Sequence, residues 1–166
     1  MTARHTYLAT LVCFGIVLVG SALAMPAEVP LHFGGSGEPD RWGSRLEALL
    51  TMTLVGGLLA VILGGTAALV DRMPVTYLNV PRKDWWTATP EREARMRRMM
   101  RTDLYVLAAA TMLFLAVVVL ATTLAARAED PALGPLFFTG LGCYLAFVVG
   151  WTVWSLSTRY RRKDDA

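Results

Sequence analysis

Residues 104–126 read LYVLAAATMLFLAVVVLATTLAA, twenty-three positions without a single Asp, Glu, Lys, Arg or His. At a rise of about 1.5 Å per residue such a stretch spans the roughly 30 Å hydrocarbon core of a bilayer, whereas a buried helix of a water-soluble domain is usually shorter. Three more stretches share the property, at 7–25, 48–70 and 136–156. Together the four take up about half of a 166-residue chain that is 55% apolar and only 17% charged, with a mean hydropathy of +0.46. Too little remains for a separate soluble domain. The expected fold is therefore an all-α integral membrane protein, a single membrane domain (1–166) built as a four-helix bundle.

The basic residues set an orientation. Arg4 precedes the first stretch, Arg41 and Arg45 lie in the first loop (26–47), eight fall in the second loop (71–103), Arg127 follows the third stretch, and four lie in the tail (157–166). Placing both termini and the second loop in the cytoplasm puts thirteen basic residues inside and three outside, as the positive-inside rule prefers. The expectation is thus a multi-pass protein of the cytoplasmic (plasma) membrane with N-in/C-in topology, an ordered extracytoplasmic loop and a basic cytoplasmic loop. Ala22-Leu23-Ala24 also fits the small-x-small pattern of a signal-peptide cleavage site, a rival reading for the first stretch.

Small residues recur every four positions within two stretches: Gly56, Ala60, Gly64 and Ala68 in the second, and Gly142, Ala146 and Gly150 in the fourth. Such stripes let helices approach closely, here to pack the bundle of one chain in preference to a dimer face. Cys13 and Cys143 sit at different depths, too far apart to bond, and read as small core-fillers. No ionisable side chain falls within any stretch, which disfavours pumps, ion-coupled transporters and intramembrane proteases.

The first loop is dense in turn formers, Pro30-Leu31-His32-Phe33-Gly34-Gly35-Ser36-Gly37-Glu38-Pro39-Asp40-Arg41-Trp42-Gly43-Ser44-Arg45, and Ser44 to Glu47 reads as a capping box for the next helix. A folded cap is expected, with Phe33 and Trp42 at headgroup level. The second loop opens with Pro74, Asn79 and Pro81, which resist helix, and Thr89-Pro90-Glu91 then starts a helix that runs into the third stretch. Arg92, Arg95, Arg97, Arg98 and Arg101 on that helix suit anionic headgroups, and Lys83 beside Trp85-Trp86 suits an interfacial anchor. Charge in this pattern, without a recognition motif, does not point to nucleic acid.

Pro30, His32-Phe33, Gly37, Pro39-Asp40, Trp42 and Ser44 together resemble the signature of the bacterial membrane family known as domain of unknown function 1648, with SdpI-like proteins among its members. Leu78-Asn79-Val80-Pro81-Arg82-Lys83-Asp84-Trp85-Trp86 and Pro90-Glu91-Arg92 resemble the short members of that group. The resemblance implies a membrane location and a sensing, immunity or accessory-subunit role, although the immunity role belongs to longer SdpI-like proteins with additional spans.

Candidate ligand- or partner-binding residues are accordingly His32, Asp40, Arg41 and Trp42 in the outer loop, and Asn79, Lys83, Asp84 and Trp85 in the inner one. A membrane or cytoplasmic protein is the expected partner beside the bilayer itself. No phosphate-binding glycine motif, no metal-spaced cysteine pair and no nucleophile elbow is present, so no catalytic residue, metal or cofactor is expected. Two alternatives remain: a small membrane enzyme or metal-dependent protein using the outer-loop His, Asp and Glu residues, and a passive transporter of a neutral solute.

Overall fold

The structure is a computed structural model, and residues 2–161 are described; Arg162 and Lys163 of the basic tail lie outside them. Four helices are long and apolar enough to cross a membrane, and the chain is a multi-pass helical membrane protein. They are α1 (Ala3–Ala24), α2 (Arg45–Leu69), α4 (Pro90–Ala125) and α5 (Pro135–Trp154); a single turn, α3 (Lys83–Trp86), lies in the loop before α4.

Local chemistry sets where the helices start. Thr2 accepts from the His5 amide, Ser44 from the Glu47 amide at 3.1 Å, and Thr89 from the Arg92 amide, each filling an orphan donor of a first turn. Pro90 and Pro135 occupy first-turn positions where a missing N–H costs nothing. The helix expected from Thr89 does run unbroken into the third apolar stretch. Its 36 residues extend to about 54 Å, so one end projects well beyond the hydrocarbon core.

That long helix organises the molecule. α1 packs along it most extensively, α2 and α5 also lie against it, and α1 and α2 touch each other. Tyr7, Ala67, Tyr105, Ala108 and Met112 fill one level of the interior, and Phe14, Ala116 and Val119 the next. Buried polar groups there are satisfied: the Tyr7 hydroxyl donates to the Ala60 carbonyl at 2.7 Å, and Thr123 donates to Ser21 at 2.8 Å.

The small-residue stripes meet different surroundings. On α2 a Cβ at Gly56 would run into the Phe14 ring, and one at Gly64 into the Tyr7 ring at 2.7 Å, while Ala68 is exposed. On α5 Gly142, Ala146 and Gly150 all face outward, and a Cβ at either glycine would meet nothing within 4 Å. α5 instead turns Tyr144 onto α4, its ring stacked on Phe114 at 4.7 Å. Both cysteines are also exposed on helix surfaces rather than filling the core.

The fold is not purely α. Glu28–Phe33 (β1) and Pro39–Ser44 (β2) pair as an antiparallel hairpin between α1 and α2. Val29 and Pro30 turn inward and His32 outward, so the strand signal is half an alternation broken by a proline and obscured by the turn residues around it. The register shifts around Leu31, a bulge beside the residue that has no N–H to give. Val29 is fully buried with Met25 and Ala48, which seats the hairpin on the bundle's end.

Candidate functional site

At the hairpin end, β1 and β2 place all four outer candidates on an exposed surface. His32 Nδ1 lies 2.6 Å from Asp40 Oδ1 across the strands, with both side chains more than half exposed. Arg41 Nη2 donates to Glu47 Oε1 at 2.5 Å. The capping box is therefore only half formed, because Ser44 caps the helix as expected while the Glu47 carboxylate goes to Arg41 and not back to the cap. Trp42 stays 43% exposed beside these pairs.

The hairpin is braced rather than loose. Gly34 and Gly37 close its tip, with Gly37 N–H donating to the Gly34 carbonyl at 2.9 Å and Gly37 at a φ of +86° that favours glycine. The Gly37 carbonyl then accepts from the Leu133 amide at 2.8 Å, and Phe138 of α5 packs against the same glycine. At its base, Arg45 reaches back to the Met25 carbonyl at 3.2 Å. No group of three or more His, Cys, Asp or Glu side chains gathers here or elsewhere among the described residues.

At the opposite end, which holds Thr2 and Arg161, the second loop folds into a small core of its own. Leu78, Val80, Trp86, Met96 and Tyr160 are buried together, so Trp86 is an interior residue and not a headgroup anchor. Lys83 donates to the Thr76 carbonyl at 3.1 Å, Asp84 is exposed, and Trp85 lies under the Arg92 guanidinium at 4.2 Å. Asn79 lines a cavity of about 170 Å³ with Asp103, Trp151 and Tyr160.

The five arginines divide by role. Arg97 is nearly buried and donates to the Val70 and Met73 carbonyls at 2.5 and 2.9 Å, closing the carbonyl end of α2, while Glu93 holds it from one turn back. Arg101 pairs with Asp71. Arg92 covers Trp85, and Arg95 and Arg98 are exposed.

One constellation joins residues that the sequence does not pair, two of them from the basic tail. Asp103, buried where α4 leaves the apolar stretch, accepts from Arg159 and from the Tyr160 hydroxyl at 3.0 Å. The helical turn widens to a π-helix over Ser155–Arg159, which delivers both donors to one carboxylate. Burial, and then the Asp103 charge, push the Tyr160 hydroxyl well above the ordinary tyrosine range, so it remains a donor. A signal existed: Asp103 is the last charge before the third apolar stretch and Arg159 the first after the fourth, two ends that a bundle brings to one level.

Residues 8–57, covering most of α1, the hairpin and the first half of α2, match the family described as Domain of unknown function (DUF1648). This agrees with the resemblance carried by Pro30 through Ser44. A protein of Archaeoglobus fulgidus bearing the name "Uncharacterized protein" is 37% identical over 60 residues, which are 34% of this chain and 32% of that protein. The chain thus spans about a third of its relative's length in the alignment. No solved structure matches.

Proposed function

We propose that the protein is a non-enzymatic, SdpI-like component of the cytoplasmic membrane that recognises an extracytoplasmic ligand or partner protein through its hairpin, in a sensing, immunity or accessory-subunit role. The observation that carries this reading is the braced hairpin. A two-stranded hairpin is marginal in water by itself, yet this one is fixed at tip and base while His32, Asp40, Arg41 and Trp42 remain exposed on it. Pre-organised polar and aromatic side chains on a fixed backbone bind with little ordering cost.

What supports an N-in/C-in arrangement is the excess of basic residues at the end where the described chain starts and stops, and in that arrangement the hairpin lies outside. Exposed Arg95 and Arg98 then face the cytoplasmic leaflet, where each contributes about 1 kcal/mol toward anionic headgroups.

The test is in-cell crosslinking and mass spectrometry of the wild type against an Asp40→Ala, Trp42→Ala double variant at matched membrane abundance. One dominant crosslinked protein, lost in the variant, is the expected result. The same crosslinks in both proteins would remove the hairpin as the recognition surface.

A further inference from the structure

The cavity of about 170 Å³ between α4, the end of the last helix and the second loop is lined by two buried polar groups that lack a hydrogen-bond partner among the described residues. One is the hydroxyl of Ser155, a residue only 5% exposed. Other hydroxyls of these helices bond back to their own backbone. Thr53, Thr66, Thr111 and Thr123 each donate to the carbonyl four residues before, and Ser157 and Thr158 both donate to the Trp154 carbonyl. Ser155, which opens the π-helical turn, faces the cavity without such a bond. The other is the indole N–H of Trp151, one turn before it. That N–H comes within electrostatic reach of the Asp103 carboxylate and still makes no hydrogen bond of ordinary geometry. A buried donor left unpaired carries a desolvation cost that a bound acceptor would remove.

Asp103 closes the polar end of the cavity. Its carboxylate accepts from Arg159 and Tyr160, which offsets its charge and uses two of its roughly four acceptor positions. An N–H and an O–H thus need an acceptor beside a carboxylate that can still take a donor. A hydroxyl meets both needs at once; a carbonyl or ether brings no proton, an ammonium brings no acceptor, and an anion would meet the carboxylate. The remaining wall is apolar, with Val80, Met100, Leu104 and Leu107. An apolar cavity of about 150 Å³ is enough for benzene, so this one has room for a body of that size carrying one polar group. Asn79 and Leu156 are exposed at its rim, which leaves a way in. We propose that the cavity binds a small neutral hydroxylated ligand, its hydroxyl accepting from Trp151 and Ser155 and donating to Asp103, and its apolar body lying against Leu104 and Leu107. The site is at the far end of the bundle from the hairpin and does not depend on what the hairpin recognises.

NMR titration of the full-length protein in mild detergent, with its tryptophan indoles labelled with nitrogen-15, tests this with benzyl alcohol as the probe. Benzyl alcohol should shift the Trp151 indole resonance, assigned by its loss in Trp151→Phe, along a saturating curve, while Trp42 at the hairpin end shows only the linear drift of partition into the micelle. Toluene, the same body without the hydroxyl, should bind about tenfold more weakly. Ser155→Ala, which removes the unpaired hydroxyl and nearly keeps the volume, should weaken benzyl alcohol by about fivefold. Ser157→Ala, whose hydroxyl is already engaged by the Trp154 carbonyl, should leave binding unchanged. A Trp151 resonance that saturates with neither probe would mean a cavity filled by water alone and would overturn the site. Equal binding of toluene and benzyl alcohol would overturn the hydroxyl, and a Ser155→Ala protein that binds as tightly as Ser157→Ala would overturn the place of Ser155 in it.

Discussion

The Tyr160 hydroxyl donates to Asp103 Oδ2 at 3.0 Å, tying the end of the last helix to α4 across a separation of 57 residues. Arg159 joins the same carboxylate, so the tail reaches the bundle through charge-assisted bonds in a mostly buried setting.

Tyr160→Phe removes one of these bonds while keeping the ring against Trp86, and should cost about 1 kcal/mol. Asp103→Ala leaves Arg159 and Tyr160 without their acceptor and should cost about 2–3 kcal/mol. Thermal unfolding in detergent, followed by circular dichroism, reads both; an Asp103→Ala protein as stable as wild type would contradict the tie.

The pH dependence has a defined sign. The folded state raises the Tyr160 hydroxyl above its unfolded value near 10, so its contribution is fully present at neutral pH and is lost as pH climbs from about 10 toward the folded value. Wild type should therefore lose stability above about pH 10 more steeply than Tyr160→Phe. Parallel melting curves for the two proteins over that interval would be the contrary result.

Neighbouring glycines of α2 should respond in opposite ways. Gly64→Ala drives a methyl into the Tyr7 ring and should destabilise by about 1–3 kcal/mol. Gly65→Ala, whose Cβ meets nothing within 4 Å, should be neutral or stabilise by up to about 1 kcal/mol through helix propensity. Detergent melting of the pair checks the direction, and equal effects would place α1 elsewhere.

Asp40→Ala should leave the fold almost untouched, since an exposed ion pair contributes about 0–1 kcal/mol. Gly37→Ala should instead loosen the hairpin tip, because a non-glycine residue at a φ of +86° is strained and its Cβ meets Leu133 and Phe138. Hydrogen exchange at the Leu133 amide, whose acceptor is the Gly37 carbonyl, should speed up in Gly37→Ala and not in Asp40→Ala.

Arg97→Lys should not restore what Arg97→Ala loses. One guanidinium nitrogen serves the Val70 and Met73 carbonyls while another donates to Glu93, a spread that a single ammonium does not reproduce. A loss of about 2 kcal/mol or more is expected for the alanine variant, with most of it persisting in the lysine one. Arg95→Ala, at an exposed position, should stay within about 0.5 kcal/mol.

Features that depend on neighbours in sequence were legible in advance. The absence of charge over 104–126 marks a span, and Ser44 and Thr89 mark helix starts, because capping and helix periodicity act over three or four residues. Features that depend on which distant segments meet were not. The hairpin escaped because Pro30 and the glycines around it outweigh a short alternation, and the meeting of Asp103 with Arg159 rests on a π-turn that no local pattern announces. Trp86 reads as a headgroup anchor from its neighbours alone, and only the closure of Leu78, Val80, Met96 and Tyr160 around it makes it interior.

The central place of α4 bears on the segment shared with other proteins. Residues 8–57 bring α1 and half of α2, but Phe14 of that segment is enclosed by Ala116 and Val119, and Ser21 by Thr123. The shared segment is thus an incomplete interior, and in this chain it acquires a finished one only when a helix translated some sixty residues later inserts alongside it.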